Sequence, residues 1–144
     1  MVVRKNLKKK FALISVFEKK NLKYLCSNLA KYNYNFISSG STGNKIRDLG
    51  FKCQDISKIT KFKEMFGGRV KTLNPKIYSS LLYIRDDKKH KQQFISLNIP
   101  EIDIVVVNLY PFKENPLGPF ETPFCFKLLF LFNIAIDIIY RLNI

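Results

Sequence analysis

Two short apolar runs limit what this chain can fold into more than any other sequence feature. Residues 11–16 (FALISV) and residues 104–110 (IVVVNLY) are almost uninterrupted by polar side chains. Such runs are typical of strands that are buried on both faces of a parallel sheet. Residues 35–38 and 51–56 predict two further strands, and residues 19–32, 44–49, 75–84 and 88–97 predict helices. The alternation predicts an α/β fold: a single Rossmann-like, three-layer domain with a mostly parallel sheet and helices on both faces.

Chain length and a change in composition near residue 113 suggest where this domain ends. A chain of 144 residues suffices for one domain with one core. We predict a basic N-terminal tail at residues 1–10, the domain at residues 11–113 and a divergent hydrophobic tail at residues 114–144. The tail's apolar stretch allows three interpretations: a core helix, a weak membrane segment or an out-of-frame sequence. Lys127 and Asp137 bracket too few residues for the ~20 that a bilayer needs, so we favour the out-of-frame interpretation and predict no membrane partner.

The charge and the cysteines narrow the classes of partner. The net charge of +14 is typical of a nucleic-acid or membrane-surface binder, or of a genome-wide drift toward lysine. We favour drift and predict no nucleic-acid partner, because the lysines are scattered and no basic run is interleaved with aromatic residues. Cys26, Cys53 and Cys125 form no CxxC pair, and with His90 they have no metal-ligand spacing. We therefore predict no metal and a reducing, cytoplasmic location.

Polar turns after the strands are the candidate functional sites, because ligands of parallel sheets bind at the strands' carboxyl ends. Ser39, Gly40, Ser41 and Thr42 lie between a strand and a helix. Small side chains, hydroxyls and a helix N-terminus suit a phosphate. An ordinary helix N-cap explains the same residues more simply.

Two further segments carry candidate side chains. In residues 67–72, Arg69 can bind a phosphate or carboxylate bidentately, and Lys71 can act as a point charge or as an acid or base. The simpler alternative is a solvated basic loop. At the end of the last strand, Asn108 can hydrogen-bond an amide and Tyr110 can donate to a ligand, or the two can be a turn asparagine and a capping aromatic.

Taken together, these segments resemble one family. GRVKTLNP at residues 68–75, NLYPF at residues 108–112, the serine-rich turn and ALISVFEK at residues 12–19 occur in the order and spacing of the N-terminal IMP cyclohydrolase domain of the bifunctional AICAR transformylase/IMP cyclohydrolase family. The resemblance covers about residues 11–113. It implies a methylglyoxal-synthase-like fold and closure of formyl-AICAR to IMP with loss of water, with no cofactor or metal. A purine nucleotide is the implied substrate, and only the resemblance suggests a homodimer.

The resemblance also implies roles for individual residues. The nucleotide's phosphate end would lie against Lys19, Ser39, Gly40, Ser41 and Thr42, with Ser41 standing where the family has glycine. Glu18, which stands where the family has aspartate, is a further substrate-binding candidate. Arg69, Lys71 and Thr72 would orient the base, with Lys71 assisting catalysis. Asn108 and Tyr110 would line the other wall, with Tyr110 near the reacting carbonyl.

The match ends after residue 113. The family continues with an acidic segment, an IDIGG motif and a helix with a further catalytic lysine, and residues 114–144 match none of these. No transformylase domain is expected in this chain. We therefore predict a truncated cyclohydrolase domain and leave open whether it is active. Alternatives are a methylglyoxal synthase, disfavoured because residues 67–72 lack a carboxylate base, a non-catalytic regulatory module like that of carbamoyl-phosphate synthetase, and a decayed fragment.

Overall fold

A four-stranded, all-parallel sheet organises the fold. The computed structural model describes residues 9–66 and 70–108, which belong to one compact unit ending at Asn108. In chain order the elements are β1 (Lys10–Ser15), α1 (Leu22–Lys31), β2 (Tyr34–Ser38), α2 (Gly40–Asp48), β3 (Cys53–Asp55), α3 (Ile56–Thr60), α4 (Pro75–Leu82), α5 (Lys88–Ser96) and β4 (Ile102–Val107). The strand order is β3-β2-β1-β4.

The alternating side chains of the central strands build a core on each face of the sheet. Ala12, Ile14 and Phe36 lie on one face in a cluster with residues of α1 and α2. Leu13 and Ile37 lie on the other face in a second cluster, with residues of α3 and α4. Both faces of β1 and β2 are therefore covered, as the apolar run at residues 11–16 predicts. The predicted three-layer α/β fold with a parallel sheet is confirmed.

Several boundaries differ from those expected. Helix α2 begins at Gly40, whereas the sequence predicted a loop up to residue 43 and a helix from residue 44. Strand β3 has three residues, and helix α3, which was not predicted, follows it directly. Ile56 and Ile59 of α3 are buried, so tertiary packing stabilises a helix that is too short to signal itself by periodicity.

The expected ends of the chain lie largely outside the described residues. Residues 1–8 of the N-terminal tail, the whole C-terminal tail, residues 109–113 of the predicted domain and the last two residues of the predicted final strand are among them. Lys10, which was predicted to end the N-terminal tail, begins β1. Within residues 9–66 and 70–108, no helix is long and apolar enough to cross a membrane. The apolar stretch of the C-terminal tail lies outside the described residues.

Candidate functional site

The candidate residues lie along the carboxyl edge of the sheet, because the strands are parallel and all end at that edge. β1 ends at Ser15, β2 at Ser38 and β4 at Val107. The predicted site residues that follow these ends are Glu18 and Lys19 after β1, Ser39, Gly40, Ser41 and Thr42 after β2, and Asn108 after β4. The topology thus places them where the ligands of such sheets bind.

The turn after β2 leads directly into helix α2. Ser39 is the N-cap in an extended conformation (φ −138°), and its side chain makes no capping hydrogen bond. Gly40 follows in the left-handed region, with φ +52°. Glycine adopts this conformation without the penalty that a Cβ would bring. The turn therefore exposes the first backbone N–H groups of a nine-residue helix, which have no acceptor within the helix.

A small hairpin carries Lys71 to this turn. The backbone N–H of Met65 donates to the carbonyl of Val70 at 3.0 Å, and the reverse bond is 3.3 Å long. Glu64 and Lys71 flank this pair and therefore lie opposite each other. Side chains that lie opposite each other in an antiparallel pair are on the same face. A Cβ built on Gly40 would lie 3.7 Å from Glu64 Oε2 and 3.8 Å from Lys71 Nζ. The structure thus brings Lys71 to the serine-rich turn.

A cleft of about 260 Å³ lies between these segments. This volume approaches the lower end of the range for small-molecule sites, roughly 300–1,000 Å³. Of the predicted site residues, Ser39, Gly40 and Lys71 line it. The remaining lining residues are Asn44, Asp55, Ile56, Ser57, Phe62, Lys63 and Glu64.

One of the carboxylates of the cleft is already engaged. Asp55 caps α3, and its Oδ1 accepts hydrogen bonds from the Ser57 N–H at 2.9 Å and the Ser57 hydroxyl at 2.7 Å. Burial opposes ionisation of this carboxyl, but the two Ser57 bonds, together with the charges of Arg47 and Lys58, lower its pKa. Asp55 therefore remains a carboxylate at neutral pH and holds one wall of the cleft.

Thr42 and Asn108 make their contacts with the loop between β1 and α1. The Thr42 hydroxyl donates to the Val16 carbonyl at 2.9 Å. Asn108 Oδ1 accepts from the N–H groups of Phe17 and Glu18, and its Nδ2 donates to the Glu18 carbonyl at 2.9 Å. The Asn108 amide, which the sequence suggested would hydrogen-bond a ligand, bonds the backbone of a neighbouring loop.

Glu18 and Lys19 also bond within this loop. Glu18 Oε1 accepts from the Lys20 N–H at 2.9 Å, and Lys19 Nζ donates to the Phe17 carbonyl at 2.9 Å. Neither residue lines the cleft.

Of the four remaining predicted site residues, two do not line the cleft and two lie outside the described residues. Ser41 is exposed in the first turn of α2, and Thr72 accepts a backbone hydrogen bond from Asn74 at 2.9 Å without lining the cleft. Arg69 and Tyr110 lie outside the described residues. Their proximity to Lys71 and to the serine-rich turn stays a prediction.

Sequence reasoning did not select several residues of the cleft. Asp55 gave a usable signal, since an aspartate two residues before Ser57 is a common helix cap. Phe62, Lys63 and Glu64 gave none, because no periodic pattern marks the segment between α3 and the Met65–Val70 bridge.

The described thiols show no sign of chemical activation. Cys26 and Cys53 are free. Burial, with a smaller contribution from Cys53, raises the pKa of Cys26 to about 11, and burial raises the pKa of Cys53. Both are therefore thiols at neutral pH. Within residues 9–66 and 70–108, no cluster of three potential His, Cys, Asp or Glu ligands is arranged to hold a metal ion, and the expected independence of metals stays a prediction.

Fold and cleft together define a class: a parallel α/β domain whose candidate binding turns lie at the carboxyl edge of the sheet. The family described as the MGS-like domain matches residues 21–121. The chain belongs to this family.

Known relatives agree with this assignment. The bifunctional purine biosynthesis protein PurH of Magnetococcus marinus is 47% identical over 106 residues, which cover 74% of this chain and 20% of PurH. PurH of Anoxybacillus flavithermus is 44% identical over 111 residues, or 77% of this chain and 22% of PurH. The chain thus spans about a fifth of these relatives. The crystal structure of ForH matches with a TM-score of 0.61 and 25% identity, covering 71% of this chain and 53% of ForH.

Proposed function

We propose that this chain binds a purine nucleotide at the carboxyl edge of its sheet and closes formyl-AICAR to IMP. The observation that carries the proposal is the position of Lys71 Nζ, which lies 3.8 Å from where a Gly40 Cβ would be, at the N-terminus of α2. An ammonium and a helix N-terminus that face one cleft both favour an anionic ligand. The similarity to the N-terminal part of PurH gives that anion an identity, a purine nucleotide.

The proposed reaction asks little of the protein beyond positioning and charge stabilisation. The carboxamide nitrogen attacks the formyl carbon of the same molecule, so a C–N bond forms and the formyl oxygen gains negative charge. The oxygen takes up one proton and the attacking nitrogen loses one, which gives a ring alcohol. A second proton then goes to this hydroxyl while the former formamide nitrogen loses its own, so water departs and a ring C=N bond forms. Because the step is intramolecular, holding the substrate in a reactive conformation lowers the barrier substantially.

Lys71 is the residue that we assign to the developing oxyanion. An ammonium in a partly enclosed cleft stabilises such charge better than water does. Glu64 Oε2 lies 3.7 Å from the same Gly40 Cβ position. By resemblance, Arg69 and Thr72 would orient the base and Tyr110 would approach the reacting carbonyl. A cytoplasmic location and a homodimer belong to the same proposal.

The test is binding and turnover by the whole chain. Calorimetry with IMP and with xanthosine monophosphate measures binding, and formation of IMP from formyl-AICAR measures turnover. We expect Lys71→Met to weaken IMP binding roughly ten- to a hundredfold, the effect of losing one charged hydrogen bond. Lys91→Met, on the exposed helix α5 that buries no residue, is the matched control and should bind like the wild type.

A second candidate function is nucleotide binding without turnover. It is favoured by residues 114–144, which match none of the family's IDIGG motif and lysine-bearing helix. IMP binding with no detectable IMP formation would select this candidate. A folded protein that binds neither nucleotide would contradict both.

A further inference from the structure

We propose that Glu64 makes this site selective for nucleotides over bare anions, because its carboxylate accepts a hydrogen bond from a ribose hydroxyl of the nucleotide. The juxtaposition that carries the inference is the approach of the Glu64 carboxylate and the Lys71 ammonium to one point beside Gly40. Glu64 is then a specificity-determining residue. The inference rests on the proposed function for its ligand.

Two opposite charges face the same small space in the cleft. The hairpin places Glu64 and Lys71 opposite each other and on the same face. A Cβ on Gly40 would lie 3.7 Å from Glu64 Oε2 and 3.8 Å from Lys71 Nζ. Both are ordinary contact distances, and both residues line the cleft of about 260 Å³. A ligand group beside Gly40 therefore meets a hydrogen-bond acceptor and a cation together.

Of the two carboxylates that line the cleft, Glu64 is the one that the fold does not use. Asp55 Oδ1 accepts both Ser57 bonds as the cap of α3. Within residues 9–66 and 70–108, the carboxylate of Glu64 makes no hydrogen bond or ion pair, and the residue is exposed. It can therefore accept a hydrogen bond from a ligand without breaking one that stabilises the fold.

The Glu64 carboxylate disfavours a ligand that is only an anion. The N-terminus of α2 and the Lys71 ammonium attract negative charge, whereas a carboxylate in contact with the same position repels it. Sulfate, for example, is a dianion with no hydrogen to donate, so it gains nothing from Glu64. For such a ligand the carboxylate only weakens binding.

A nucleotide offsets this repulsion because it carries hydrogen-bond donors close to its phosphate. The ribose hydroxyls are O–H donors, and carboxylates accept from them in the dinucleotide sites of other parallel α/β folds. A hydrogen bond to an ionised acceptor is roughly twice as strong as one between neutral groups. Glu64 therefore favours a ligand that presents an anion and a hydroxyl together, as a nucleotide does.

The ribose contact is tested by deleting its two partners separately and together. Calorimetry with the whole chain compares IMP with its 2′-deoxy and 3′-deoxy forms. We expect one of these deletions to weaken binding to the wild type roughly tenfold or more. The same deletion should weaken binding to Glu64→Met less than about twofold, because the hydroxyl has then already lost its acceptor. Glu64→Gln keeps a neutral acceptor and should give an intermediate ratio.

Asp48→Asn is the matched control for the loss of charge. Asp48 is exposed at the far end of α2, so its variant should keep the wild-type ratio between IMP and the deoxy forms. Two results would overturn the proposal while leaving IMP binding intact. One is a wild type that binds both deoxy forms as tightly as IMP, and the other is a Glu64→Met variant that keeps the wild-type ratio.

Sulfate tests the exclusion of bare anions without any nucleotide. In NMR titrations at constant ionic strength, we expect sulfate to bind Glu64→Gln roughly fivefold more tightly than the wild type, since one repelling charge is gone. Asp48→Asn should bind sulfate like the wild type. Equal sulfate affinities in Glu64→Gln and the wild type would overturn the proposal. If the wild type fails to bind IMP, the proposed function is contradicted, while the sulfate affinities still decide whether Glu64 excludes bare anions.

Discussion

Gly40 combines a positive φ with a position against the cleft, so its substitution should be costly. Its φ of +52° places an added Cβ in the left-handed region, which costs roughly 1–2 kcal/mol. We expect Gly40→Ala to lower the free energy of unfolding by about that amount in urea denaturation.

Gly43, three residues further along α2, is the matched control. An added Cβ there meets the flexible Arg47 guanidinium at 3.4 Å and has no positive φ. Gly43→Ala should therefore be neutral or stabilise by up to about 1 kcal/mol, as expected for alanine in a helix. Equal destabilisation by both variants would contradict the assigned conformation of Gly40.

Asp55 should contribute stability that depends on pH. Its carboxylate caps α3 through Ser57, and an Asp→Ala change at a cap costs about 1 kcal/mol. Because the pKa of Asp55 in the folded state lies below its ordinary value of 3.8, its ionised form stabilises the fold above that pH. The contribution is lost as the pH falls through the folded pKa.

The unfolding free energies of wild type and Asp55→Ala should therefore differ fully at pH 7 and converge below pH 3.8. Asp87→Ala, at the cap of the peripheral helix α5, is the comparison and should loosen that helix alone. A difference between wild type and Asp55→Ala that stays constant from pH 7 to pH 3 would contradict the role of the ionised cap.

At the scale of elements, a charged cluster holds the segment after α4 to the amino end of β4. Arg85 Nε lies 3.2 Å from Glu101 Oε1, and Arg85 Nη1 lies 3.3 Å from Asp103 Oδ1. Asp103 also accepts from the Phe11 N–H of β1 at 3.0 Å. Because Glu101 is buried, Arg85→Met should destabilise by roughly 2 kcal/mol, less than for a fully buried pair since Arg85 is partly exposed.

The second variant of this cluster removes one of the charges that Arg85 offsets. Glu101→Gln in the Arg85→Met background should recover part of the loss in thermal unfolding, because Glu101 and Asp103 would otherwise repel each other. A further loss in the double variant would show that the hydrogen bond between the Tyr83 hydroxyl and Glu101 outweighs this repulsion.

The elements show what a sequence can and cannot predict. Strands β1 and β4 were predicted from sequence because a strand that is buried on both faces requires a continuous run of apolar residues. The start of α2 was missed because its first four residues, Gly40 to Gly43, are poor helix formers, and burial of Thr42 and Ile46 overrides that preference. The Met65–Val70 hairpin was missed because its pairing is a single bridge with no alternating pattern. Of the residues that line the cleft, Ser39, Gly40 and Lys71 were predicted, whereas Phe62, Lys63 and Glu64 were not.

For the whole molecule, the net charge of +14 must be reconciled with the proposed preference for one small anion. Attraction of a polyanion to scattered lysines comes mostly from counterion release, so it falls steeply with salt. Contacts inside a cleft are screened much less than contacts between exposed charges. Salt dependence therefore separates the two kinds of binding.

We expect binding of a single-stranded oligonucleotide, measured by fluorescence anisotropy, to fall at least about tenfold between 50 and 200 mM salt. IMP affinity, measured by calorimetry under the same conditions, should change only a few-fold, since the proposed site holds IMP within the cleft, where contacts are screened less. Lys71→Met should weaken IMP binding and leave the oligonucleotide curve unchanged, because one lysine among 25 basic residues contributes little to a dispersed field. Oligonucleotide binding that persists at 200 mM salt and depends on Lys71 would identify the cleft as part of a nucleic-acid site and contradict the nucleotide assignment.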